Sequence, residues 1–195
     1  MKQKHSEQKR NCKTGYLNSF LILLITSIVS SLGGLSFQGI ESLIATVLPI
    51  MIIFPSLNDL MGNFAIIFSS KFTTWLYEGK IREHYAFDNS NMKKLLKEIA
   101  FAGFQFSTII SLFGIVIAGV NELKFNIILA LKVFVICTIV VQIMIIFLFL
   151  LITIVGMILF NKNKSPDDVL IPLSTSVADF LTMIYTTAFV LLLFK

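Results

Sequence analysis

Ser165-Pro-Asp-Asp-Val-Leu-Ile-Pro-Leu-Ser-Thr-Ser-Val-Ala-Asp179-Phe-Leu-Thr-Met-Ile-Tyr-Thr-Thr-Ala188 is a long apolar stretch with a carboxylate near its middle. An acid at bilayer depth costs about 2.5–3.5 kcal/mol on insertion scales, and a helix keeps one where it faces a cavity, a partner or an ion. Thr175, Asp179, Thr182 and Thr186 follow at steps of four, three and four, which places them on one helical face. Pro172 lies one turn earlier and Ser176 lies beside the stripe. The hydroxyls alone have a plain explanation, back-bonding to carbonyls one turn away. A carboxylate among them asks for more.

The rest of the chain sets the solvent. Of its 195 residues, 56% are hydrophobic and 14% charged, where soluble domains carry about 25% charged residues. Several apolar runs exceed the roughly 20 residues needed to cross hydrocarbon. The reading is an all-α integral membrane protein with five transmembrane helices. They cover about Leu17 to Phe37, Ser42 to Trp75, Ile99 to Val120, Phe125 to Phe160 and Asp168 to Phe194. The first is too long for a signal segment and lacks a cleavage pattern, so it is retained. The second is expected to break near Pro55-Ser-Leu-Asn-Asp59, because proline removes a donor and crowds the preceding turn. The fourth is longer than a bilayer is thick, so it tilts, kinks or protrudes. Residues 1–16 form a cytoplasmic N-terminal segment and 17–195 one transmembrane domain. Lys80 to Glu98 is read as an amphipathic surface helix.

Charge gives the orientation. Lys2, Lys4, Lys9, Arg10 and Lys13 precede span one. Lys80, Arg82, Lys93, Lys94 and Lys97 follow span two, and Lys162 and Lys164 follow span four. All fall on one side if the spans alternate, which makes the N-terminus cytoplasmic and the C-terminus external in a multi-pass cell-membrane protein. The net charge of +5 thus reflects topology, with a lipid bilayer as the partner and no nucleic acid. Cys12 and Cys137 are expected as free thiols, and His5 and His84 as solvated histidines without ligand spacing.

Span two carries a second polar set. Asp59, Asn63, Ser70 and Thr74 lie close to one face, and Gly62 allows close approach of a helix or an ion. A proline-broken helix at membrane depth is tolerated where it is buried in protein or lines a cavity, and such breaks often mark ion sites. Oxygen ligands without His or Cys suit hard cations. Mg²⁺ dehydrates reluctantly and keeps several waters, so one or two carboxylates with carbonyls and hydroxyls suffice to hold it. One chain supplies one Asp179; a two-fold dimer supplies two facing copies.

Pro55-Ser-Leu-Asn-Asp-Leu-Met-Gly62-Asn63-Phe-Ala-Ile-Ile-Phe-Ser69-Ser70-Lys71-Phe-Thr73-Thr74 and Pro166-Asp167-Asp168-Val-Leu-Ile-Pro172-Leu-Ser-Thr-Ser176-Val-Ala-Asp179 resemble the two signatures of the MgtE-type divalent cation transporter membrane domain. The resemblance is specific in these two stretches and hydropathic elsewhere. It implies a Mg²⁺ channel or transporter, with Mg²⁺ or another divalent cation as the transported ion and no enzymatic activity. Spans two and five would line the pore. The family's pore aspartate maps to Asp179, and its Gly-Asn pair to Gly62 and Asn63. Asp59, Thr175 and Ser176 join the candidate ion site, with Asp167 and Asp168 at the cytoplasmic mouth as ion attractors or helix-capping acids. Ala178, Asp168 and Lys71 depart from the family's glycine, asparagine and arginine, and Asp59 is an acid where the pattern has none. Bacterial members carry cytoplasmic sensor domains; the expectation here is a single half-length unit without that gate. Two other readings stand beside this one. One is a non-conducting subunit that needs a paralogous partner. The other is an intramembrane aspartyl protease built on Asp59 and Asp179, although Ser176-Val-Ala178 is not that class's Gly-x-Gly before its aspartate.

Overall fold

The computed structural model describes residues 20–36, 44–81, 87, 89–120, 127–162 and 166–194, with the side chains of all of these except 44–49, 118–120 and 166–168. The N-terminal segment with His5 and Cys12, the links at 38–41 and 121–124, His84, Lys195 and the side chains of Asp167 and Asp168 lie outside the description. Within it the chain is all-helical. Among the described residues there are five helices: α1 Phe20–Gly34, α2 Ile44–Tyr77, α3 Ser90–Val120, α4 Ile127–Asn161 and α5 Pro166–Phe194.

Four of these, α2 to α5, are long and apolar enough to cross a bilayer, whereas the described part of α1 is shorter. The 35 residues of α4 would extend about 52 Å at 1.5 Å per residue, well beyond a hydrocarbon core of about 30 Å.

α2 differs from expectation. It runs as one helix through Pro55, with no interruption between Ile44 and Tyr77. A proline removes only its own N–H, the partner of the Met51 carbonyl, and leaves the ladder on both sides in place. In a membrane helix such a loss is absorbed by local adjustment and neighbouring groups.

The helix ends are built from local chemistry. α2 stops in a Schellman turn. Gly79 takes φ 69°, its N–H donates to the Leu76 carbonyl at 3.1 Å, and Lys80 N donates to the Trp75 carbonyl at 2.9 Å. That left-handed position favours glycine. α3 starts from an Asn cap: Asn89 Oδ1 accepts from Asn91 N at 2.9 Å, while Asn89 Nδ2 donates to the Lys80 carbonyl at 2.7 Å. Of the expected surface helix from Lys80 to Glu98, residues 82–86 and 88 lie outside the described residues. Its basic part, Lys93 to Lys97, is the first turns of α3, where Met92, Leu95 and Ile99 are buried and Lys94 and Lys97 are exposed. From Ser90 the helix runs on into the apolar span.

α2 packs against α3, α4 and α5, and α4 against α2, α3 and α5. Lipid supplies no hydrophobic drive between helices, so small residues and polar contacts shape the seams. Gly156 of α4 lies against the Phe72 ring, and Gly103 of α3 against Ile145 and Val141 of α4. Gln142 Nε2 of α4 donates to the Ala100 carbonyl of α3 at 3.0 Å. Lys132 of α4 donates to the Leu193 carbonyl at the end of α5 at 2.6 Å, and its ammonium sits 4.8 Å from the Phe194 ring centre. Cys137 is a buried free thiol. Phe101, Phe113, Val116 and Ile127 are among the side chains left on the outside, where hydrocarbon suits them.

The pairings also give direction. α2 runs antiparallel to α5, because Asn58 meets Asp179 while Ser69 meets Ser174. α1 runs parallel to α5, because Ser30 meets Asp179 while Ser36 meets Thr187. α1 and α5 thus point the same way, as alternation requires. Side-specific labelling tests which way that is. With Cys12 and Cys137 replaced, Ile40→Cys should react with an impermeant thiol reagent added outside, and Ser90→Cys only with one admitted inside. The reverse pattern would invert the orientation.

Candidate functional site

The seam between α2 and α5 opens into a cleft of about 490 Å³. Phe54, Pro55, Asn58, Asp59, Gly62, Asn63 and Ile66 of α2 line one wall, and Thr175 and Asp179 of α5 the other. Asp179 follows Val169, the start of the apolar span, by ten residues. That is about 15 Å of helix, half the thickness of a hydrocarbon core of about 30 Å.

Both oxygens of Asp179 are held. Ser30 Oγ of α1 donates to Oδ2 at 3.1 Å, and Asn58 Nδ2 of α2 donates to Oδ1 at 2.9 Å. Hydrogen bonds to charged groups contribute about 1.5–3 kcal/mol each, which offsets much of the insertion cost. Two donors leave the other lone pairs of the carboxylate available.

Asp59 has no such shelter. It lies one residue on from Asn58, about 100° around the helix, and is exposed. Its described side-chain partner is Asn63 on its own helix, whose Nδ2 donates to Oδ2 at 3.1 Å. The exposure continues along the same face, through Pro55, Asn63, Ile66, Ser70, Thr74 and Tyr77. A stripe with an acid, an amide and two hydroxyls cannot lie against hydrocarbon cheaply. Gly62 also opens outward: a Cβ there would meet nothing within 4 Å. Among the described residues the close approach expected at this glycine does not occur.

The α5 stripe is divided by its surroundings. Thr175 and Asp179 line the cleft, but Thr182 and Thr186, further along the same face, are fully buried with unpartnered hydroxyls. The cleft stops short of them. Ser176 is buried, lies off the cleft and donates to the Pro172 carbonyl at 2.8 Å. Thr175 donates to the Ile171 and Pro172 carbonyls at 3.0 and 3.1 Å. For these two hydroxyls the back-bonding explanation holds. Asn58 and Ser30 were not among the sequence candidates. Asn58 had a signal, as a mid-span amide beside Asp59; Ser30, one of four hydroxyl residues between Thr26 and Ser31, had none. Among the described residues, no three His, Cys, Asp or Glu side chains gather as a preformed metal cluster.

The profile of the MgtE divalent cation transporter family matches residues 54–189, more than half of the chain. The match starts at Phe54 on the wall of the cleft and runs past Asp179, so it takes in every lining residue. The chain belongs to the MgtE divalent cation transporter family. That is a family of transporters rather than enzymes, and its membrane region is the region matched. No curated protein and no solved structure matches the chain.

Proposed function

We propose that this MgtE-family chain is a Mg²⁺ channel or transporter, working as a two-fold homodimer with its ion path along the α2–α5 cleft around Asp179. The observation that carries this reading is the exposed polar face of α2 beside a mid-membrane carboxylate. Asp179 alone has a sufficient structural explanation in its two donors. Thr74 donates back to the Ser70 carbonyl at 2.8 Å and Asn63 to Asp59, but the ionisable Asp59 itself stays on the exposed face, where a second copy with water and a cation between supplies what hydrocarbon cannot.

In that arrangement two Asp179 carboxylates face a shared axis, and their repulsion in a medium of low dielectric is relieved by a divalent cation. A hydrated ion is held through its waters by Asp179, with Asp59 and Asn63 on the outer wall and Thr175 below. Gly62 leaves the width that a hydrated ion needs. The Met51 carbonyl, without a partner N–H at Pro55, adds an acceptor near the upper end. Ser176 has no part in this scheme. Asp167 and Asp168 stand at the start of α5 on the cytoplasmic side, where acids stabilise the helix by about 0.3–1 kcal/mol and draw cations to the mouth. The N-terminus is cytoplasmic and the C-terminus external.

The test is flux into liposomes that hold the purified chain, with Mg²⁺, Mn²⁺, Co²⁺ and Ca²⁺ offered in turn, with and without a Na⁺ gradient. Saturable Mg²⁺ entry with this chain alone is the expected result. Silence for every ion would overturn the reading, and activity only after co-reconstitution with a paralogue would replace it with that of a partner-dependent subunit.

A further inference from the structure

We infer that Ser30 and Asn58 are positioning residues of the ion path, and that by fixing Asp179 they set its preference for a tightly hydrated small cation over a larger one. The inference rests on Asp179 being the path's carboxylate, as proposed above. Three observations support it.

The first is geometric. Asp179 is held from two different helices, one oxygen by α1 and the other by α2. Two fixed oxygens prevent the carboxylate from rotating about its terminal bond. Its remaining lone pairs then keep one direction relative to the cleft wall.

The second is a cost. Asn58 Oδ1 is buried and has no hydrogen-bond partner. A buried acceptor left unpaired is unfavourable, and turning the amide over would point its oxygen at the carboxylate instead. With Nδ2 donating to Asp179, Oδ1 is left without a partner.

The third is that the seat of α1 is built for close approach. Gly33 lies one turn beyond Ser30, and a Cβ there would come within 2.8 Å of Met183 Sδ and 3.1 Å of Phe180 Cα. One turn further, the Ser36 and Thr187 hydroxyls lie 3.3 Å apart. Ser30, Gly33 and Ser36 thus share a face, and that face rests on α5 beside Asp179. On that face the Ser30 hydroxyl lies 3.1 Å from Asp179 Oδ2.

The consequence follows from ion chemistry. Mg²⁺ keeps its waters and asks for acceptors at fixed positions, whereas Ca²⁺ sheds water readily and takes carboxylates in variable geometry. A clamped carboxylate suits the first ion. A free one can swing to chelate the second.

The experiment compares the parent with Asn58→Leu, Ser30→Ala, Ser30→Thr and Asp179→Asn in the full chain, each checked for monodispersity in detergent and reconstituted at equal density. Mg²⁺ half-saturation, maximal rate and inhibition by Ca²⁺ are read. Asn58→Leu should raise the Mg²⁺ half-saturation by about tenfold, as loss of one hydrogen bond to a charged group implies, with the maximal rate little changed and Ca²⁺ inhibition stronger. Ser30→Ala should shift both in the same direction by less, and it remains informative if Asn58→Leu misfolds. Ser30→Thr, which keeps the hydroxyl, should match the parent. Folded Asn58→Leu or Ser30→Ala protein with parental half-saturation and parental Ca²⁺ inhibition would overturn the inference, as would a loss of maximal rate alone. In both cases an inactive Asp179→Asn leaves the ion path standing. If Asp179→Asn transports like the parent, the ion path itself fails and the inference falls with it.

Discussion

Asp179→Asn should abolish divalent flux, on the order of a hundredfold or more, while leaving the chain folded. The substitution keeps shape and volume and removes one negative charge per chain from the middle of the cleft. Ser30 can still donate to the remaining oxygen. The new amide nitrogen would face Asn58 Nδ2, but Asn58 can turn over. Its Oδ1, buried without a partner in the parent, then accepts from the new amide. The fold is therefore expected to hold, and thermal stability in detergent without divalent cations should be equal or higher. In the proposed dimer the change also removes repulsion across the axis. The pair of measurements is decisive because the two roles of Asp179 predict different pairs of outcomes. An ion-path carboxylate gives lost flux with retained stability. A purely structural hydrogen-bonding residue gives retained flux, and that outcome would place the path elsewhere.

Asp59→Asn should weaken flux less than Asp179→Asn does. Asp59 lies on the exposed wall and already shares a hydrogen bond with Asn63. Its charge adds to the field of the cleft from the α2 wall.

Much of this arrangement was legible in the sequence because membranes enforce simple rules. An acid in an apolar run must be compensated, so Asp179 announced itself. The spacing of Asp59, Asn63, Ser70 and Thr74 gave a single face, and the structure leaves that face exposed. Other features depend on tertiary contact and have no local signature. Pro55 does not interrupt α2, because losing one ladder bond does not end a helix whose neighbours hold it. Thr182 and Thr186 share a face with Asp179, but what covers a face is decided by the other helices. Asn58 and Asp59 are adjacent in sequence yet turn to different surroundings, one to α5 and the other to the open side. A polar pair in a span shows that something is compensated there and leaves open which of the two does it. Ser30 could be found only once Gly33 was seen to rest against the backbone of α5.

Gly62→Phe tests the open face itself. A Cβ at Gly62 meets nothing within 4 Å, so the ring has room beside the chain's own packing. Replacing glycine by phenylalanine inside a helix also recovers about 0.3–0.5 kcal/mol of helix propensity. The single chain should therefore fold at least as well as the parent. What the ring enters is the cleft, between Asn58, Asp59 and Asn63 on α2 and the Asp179 wall. If ions pass there, flux should fall about as far as in Asp179→Asn, and Gly62→Ala should reduce it only in part. If that face instead looks at lipid, a phenylalanine is favoured at such a position and flux should equal the parent's. Cross-linking in membranes separates the two ways of losing activity. A chain that still self-associates but does not conduct has a plugged path. A chain that no longer self-associates has a disrupted two-fold contact, which would make Gly62 part of the surface between copies. Unaltered transport by folded Gly62→Phe protein would contradict both, because neither a pore wall nor a tight helix contact accommodates an aromatic ring in place of a hydrogen.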